Sequence, residues 1–182
     1  MSTRDLVGVA LALVVGGCAS ADMAPRAMES PNLGREATPA QIAGWDISVG
    51  PDGVGLPAGK GTPAAGALVY EQKCQACHGA RGAGQPNDRL VGGQGTLASK
   101  APVRTIGSYW PYATTVFDYV RRAMPYLQPQ SLSNDEVYAL TAYLLNLNGI
   151  IGDGDEMNAQ TLPKVRMPNQ SNFIVVYPPR AK

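Results

Sequence analysis

The sequence predicts an all-α domain of a few short helices joined by long loops, and three observations carry that reading. Thr62-Pro63 sets a good N-cap before a proline that suits the first helical position, directly ahead of AAGALVYEQKC. Ser133 and Glu136 have the S-x-x-E spacing of a capping box, and Val137, Leu140, Thr141, Leu144 and Leu147 continue it as one apolar stripe. Around these segments the 21 glycines and 15 prolines of the 182-residue chain supply turns, and no strand–helix alternation occurs.

Taken in order, the chain opens on MSTRDLVGVALALVVGGCAS. Arg4 precedes an apolar run from Leu6 to Val15 that is too short to span a bilayer and fits the hydrophobic region of an export signal. Val15-Gly16-Gly17-Cys18 resembles a bacterial lipobox, which makes 1–17 a lipoprotein-type signal peptide and Cys18 the lipidated first mature residue. Cleavage among the alanines at 19–24 is the plainer alternative and would remove Cys18. Both predict an exported, periplasmic protein, and lipidation adds a membrane anchor. Residues 18–43 read as a flexible tether, and 44–61 as an irregular segment that packs on the domain with Trp45 and Ile47 among turn signals.

The domain itself is expected over 62–150. Its first helix runs to about Cys74, and 79–111 are mostly loop. A second helix is predicted over YATTVFDYVRRAM, where Ala113, Val116, Phe117 and Val120 recur at helical spacing before MPYLQPQ breaks it. The third helix follows the capping box and ends at Asn148-Gly149. Residues 151–182 form an irregular C-terminal extension with one apolar run, FIVVYPP.

A formal net charge of +1 and the lack of a long Lys/Arg run argue against nucleic acid as a partner. The chemistry concentrates in Cys74-Gln-Ala-Cys77-His78, which holds two of three cysteines and the only histidine. A structural zinc site lacks its second ligand pair, and a thioredoxin-like pair lacks its βαβ setting. A plain disulfide remains possible in an exported protein. C-x-x-C-H is, however, the signature of covalent haem attachment. Two thiols add to the two vinyl groups on one porphyrin edge, and the adjacent His78 presents its imidazole to the iron. One such motif means one haem c. With no second histidine, the other axial ligand falls to a methionine: Met124 in RRAMPY, or alternatively Met167 in KVRMPNQ.

These residues resemble the class I c-type cytochromes. Gly66, Tyr70 and Cys74 stand four apart, as the glycine and aromatic of that family's first helix do, and Leu140 with Tyr143 matches its last helix. The resemblance implies a class I cytochrome c fold in which first and last helices cross, and it supports Met124. GSYWPYATTVFDYVRRAMP, SLSNDEVYALTAYLLNLNGI and LPKVRMPN are further similar to the cytochrome c subunit of sulfite and sulfur dehydrogenases. That likeness implies a molybdenum-cofactor dehydrogenase subunit as electron donor and a downstream electron acceptor.

The function expected is therefore single-electron transfer without catalysis by this chain. A generic periplasmic electron carrier is the alternative. A haem peroxidase or sulfur-compound oxidase would need a distal acid–base group, and no distal histidine exists. Between Glu71 and Pro125 the sequence holds Lys73, Arg81, Arg89, Lys100, Arg104, Arg121 and Arg122 against Glu71, Asp88 and Asp118, seven minus three or +4. This excess suits an acidic partner, while Asp135, Glu136, Asp153, Asp155 and Glu156 place negative charge elsewhere.

Overall fold

A computed structural model describes residues 33–174 and residue 176. The export signal and Cys18 lie outside the described residues. From Pro39 onward the elements are α1 (Pro39–Trp45), β1 (Lys60–Gly61), α2 (Pro63–Lys73), α3 (Gln75–His78), α4 (Ala113–Ala123), α5 (Asn134–Leu147) and β2 (Met157–Asn158), with short 3-10 turns at Ala80–Gly82, Leu162–Lys164 and Gln170–Asn172.

α2 starts where its sequence signal lies: the Thr62 side chain accepts from the Ala65 N–H, and Pro63 takes the first helical position. α5 has both halves of its capping box. Ser133 accepts from the Glu136 N–H, and a Glu136 carboxylate oxygen accepts from the Ser133 N–H at 2.8 Å. The two helices cross at Gly66. A Cβ there would overlap the Ala139 carbonyl and lie 2.7 Å from Tyr143 Cβ, so only glycine permits this approach. One turn on, the Tyr70 and Tyr143 rings meet at 5.4 Å.

α4 closes the core from a third side. Val116, Phe117 and Val120 face Val137, Tyr138, Leu140 and Leu144 in one buried cluster, with Phe117 and Tyr138 ring centroids 4.5 Å apart. Three α4 or α5 groups that could have been left to solvent instead hold the chain before α2. Asp118 accepts from the Val49 N–H at 2.9 Å, and the Tyr138 hydroxyl donates to the Pro57 carbonyl at 2.9 Å. Asp135 likewise accepts from the Lys60 N–H at 2.8 Å. This segment packs on the domain, but not through the residue the sequence favoured. Trp45 is 86% exposed, and Val49 is the buried anchor. α1 also lies across the expected tether boundary at 43, with none of its residues buried.

The C-terminal extension adds β2, which pairs antiparallel with β1 in the register Lys60↔Asn158 and Gly61↔Met157. Leu162 and Met167 then enter the core, at 0% and 4% exposure.

Candidate functional site

Cys74 ends α2 and begins α3, so the two thiols and the imidazole share a single turn. The Cys77 and His78 N–H groups donate to the Cys74 carbonyl at 3.1 and 3.0 Å. This puts the two sulfurs at i and i+3, on one side of the turn. No disulfide joins Cys74 and Cys77; Cys77 is exposed and Cys74 partly buried. Burial pushes the Cys74 thiol up to about 11, with Lys73 pulling the other way.

His78 is held from behind. Its Nδ1 lies 2.9 Å from the Asp88 carbonyl oxygen, which can only accept. Nδ1 therefore carries a proton, which leaves Nε2 as the ring nitrogen that could face a metal. The loop that brings Asp88 there is tied at both ends. The Asn87 N–H donates to the Cys77 carbonyl at 2.8 Å, and the Leu90 N–H donates to the Gly82 carbonyl at 2.9 Å. The Gly84 N–H also closes on the His78 carbonyl at 2.8 Å. Glycine is needed at residue 79, where φ is +73° and a Cβ would strike the Gly84 carbonyl. The tight turn thus accounts for this glycine by itself. The Tyr70 hydroxyl, its pKa pushed up to about 12 by burial, stays a donor and holds the Gly79 carbonyl at 2.9 Å.

Two cysteine sulfurs on one turn and an imidazole anchored at Nδ1 form a donor set that fits a covalently attached haem. The methionines differ in setting. Met124 caps α4 with an extended backbone (φ −118°, ψ 148°), as the residue before Pro125 must, and is only partly buried against the core. Met167 is 4% exposed and enclosed in the core, and Met157 likewise sits at 4% in β2.

The charge pattern departs from its sequence reading at Glu136. Rather than lying apart from the basic residues, Glu136 accepts from Lys73 at 2.6 Å, beside Cys74. Arg122 is paired with Asp118 at 2.7 Å. Arg81, Arg89, Lys100 and Arg104 remain exposed with no ion pair among the described residues.

Two residues at the site escape sequence reasoning. The Asp88 contribution is a backbone carbonyl, which carries no residue signature. Asn148 reads as a helix cap, yet its side chain also reaches Leu90 and Gly92 in the loop beyond Asp88.

A family model described as cytochrome c matches residues 63–148. The chain is also similar to a chain in the crystal structure of the sulfane dehydrogenase SoxCD from Paracoccus pantotrophus. The two are 44% identical with a TM-score of 0.77, over 80% of this chain and 72% of the other.

Proposed function

The chain belongs to the class I c-type cytochromes, an electron-transfer family with covalently attached haem c, and from that premise we propose that it is the haem subunit of a sulfite or sulfur dehydrogenase. Cys74 and Cys77 would hold haem c by thioethers, and its iron would be bound by His78 through Nε2 and by Met124 through its sulfur. When bound, haem c supplies a one-electron Fe(III)/Fe(II) couple. The protein's residues immobilise and tune that couple. The thioethers fix one edge, the Asp88 carbonyl sets the ring orientation and basicity of His78, and two ligands held by the fold leave little to rearrange as an electron arrives.

A molybdenum-cofactor subunit acts as donor, and a separate protein takes the electron onward. The observation that carries this reading is the Cys74–His78 turn set in a chain 44% identical to one from a sulfane dehydrogenase. Export to the periplasm and lipid on Cys18 belong to the same reading. They rest on the sequence of 1–18, and no helix of the described residues is long and apolar enough to cross a membrane.

A denaturing gel stained for haem peroxidase activity tests attachment: wild type gives a band, and Cys74→Ala with Cys77→Ala gives none. Persistent covalent haem in that double variant overturns the assignment. Stopped-flow absorbance, with a molybdenum sulfur dehydrogenase and its substrate as reductant, tests the partner. Loaded haem that this donor never reduces leaves a generic electron carrier as the better reading.

A further inference from the structure

The side chain of Asn148, at the end of α5, is 9% exposed and uses its full bonding capacity. Its Nδ2 donates to the Leu90 carbonyl at 3.2 Å and to the Leu144 carbonyl at 2.8 Å. Its Oδ1 accepts from the Gly92 N–H at 3.0 Å and from Gln94 Nε2 at 3.5 Å, and Gln94 Nε2 also donates to the Asn148 carbonyl at 3.2 Å. The amide orientation is fixed by these partners, because carbonyls only accept and an N–H only donates. A Cβ on Gly107 would overlap Oδ1, so the amide is also packed on its far side.

A helix cap needs only the bond to Leu144. The bonds to Leu90 and Gly92 instead tie α5 to the loop whose Asp88 carbonyl holds His78 Nδ1 at 2.9 Å. Asp88 is two residues before Leu90, and Leu90 is itself bonded to Gly82. The path from Asn148 to the imidazole therefore runs through one short, doubly anchored stretch of backbone.

We propose that Asn148 is a positioning residue for His78, holding the 88–92 loop so that the Asp88 carbonyl keeps its hydrogen bond to the ring Nδ1–H. This rests on the haem reading for its consequence. A firmly held acceptor makes the imidazole a more basic ligand, which favours ferric iron, so loosening it should raise the midpoint potential.

The test uses the haem-loaded full chain with Asn148→Ala, Asn148→Asp and, as a control for lost stability on the same helix, Val137→Ala. NMR in the reduced state follows exchange of the His78 ring N–H and the Gly92 amide. In Asn148→Ala both should exchange at least tenfold faster and the midpoint potential should rise. In Asn148→Asp the Gly92 bond survives while the donors to Leu90 and Leu144 are lost, so the ring proton should speed up more than the Gly92 amide. Val137→Ala should lower Tm yet leave exchange and potential as in wild type. Unchanged ring exchange and potential in Asn148→Ala overturn the proposal, even if Tm falls. If wild-type protein carries no covalent haem, the haem reading fails separately. Exchange of the His78 ring N–H and the Gly92 amide in the haem-free chain then decides the clamp, faster in Asn148→Ala if it holds and unchanged if it does not.

Discussion

At the scale of single residues, Met124 and Met167 are the two candidate sulfur ligands, and the fold gives them different settings. Both precede proline, so the Met-Pro pair alone does not distinguish them. Met167 is enclosed among Leu162, Leu144 and their neighbours in one cluster, whereas Met124 stands at the edge of that cluster after the last turn of α4. Met124→Ala should lower the midpoint potential and shift the ferric spectrum toward high spin, because a thioether ligand favours Fe(II). Met167→Ala should leave spectrum and potential in place but cost about 2–5 kcal/mol through the cavity it opens. Redox titration and denaturant unfolding of the two variants check this, and the opposite pattern moves the axial role to the tail. The thiols and His78 were legible because their chemistry is written in side chains at fixed spacing. The acceptor for His78 was not, because a backbone carbonyl belongs to any residue and only the folded loop selects Asp88.

At the scale of elements, the crossing of α2 and α5 depends on what Gly66 lacks. Gly66→Val would push two methyl groups into the Ala139 backbone, and overpacking of this kind costs about 1–3 kcal/mol or more. Thermal unfolding should show a clear drop in Tm, and an unchanged Tm would argue against so close a crossing. The same helix pair carries a pH-dependent tie. Lys73 at the end of α2, and next the Ser133 N–H, hold the Glu136 carboxyl below the ordinary carboxylate range. A depressed folded-state pKa adds stability above the unfolded value and loses it as pH falls through the folded one. The advantage of wild type over Glu136→Gln should therefore be present at neutral pH, begin to fall near the unfolded value of about 4, and be gone only below the lower folded value. Paired Tm measurements across pH check this; an advantage that persists in acid would assign Glu136 a packing role instead. α2, α4 and α5 were legible, since caps and apolar spacing are local, whereas α1 falls where a tether and irregular chain were expected. The segment over 44–61 was legible only as packed chain. Its anchors are hydrogen bonds to the Asp118 and Asp135 carboxylates and from the Tyr138 hydroxyl, some 70 to 80 residues away in sequence, and no local pattern points to them.

At the scale of the whole molecule, the folded chain redistributes the charge that a simple count assigns to the haem region. Of the seven cations counted there, Lys73 and Arg122 are neutralised by Glu136 and Asp118, and Arg121 turns toward the Ile47 carbonyl at 3.4 Å. The remaining four, Arg81, Arg89, Lys100 and Arg104, are exposed and all lie in the loop region between α3 and α4. If the electron donor is met by diffusion, an acidic patch on it would be drawn to these loops, and steering of this kind speeds encounter about tenfold or more at low salt. Haem reduction by the dehydrogenase should then slow as ionic strength passes about 0.1 M, where the Debye length shrinks to about 10 Å. Arg81→Glu with Arg89→Glu should slow reduction at low salt and flatten its salt dependence, while Lys73→Gln with Glu136→Gln, which removes a paired plus and minus together, should change the rate little. Stopped-flow absorbance over a salt series reads all three. A rate indifferent to salt, with the two subunits copurifying, would mean that the encounter is over before the electron moves. These four cations would then matter to assembly or to the downstream acceptor, and the same series run with an isolated acceptor would show the salt dependence instead.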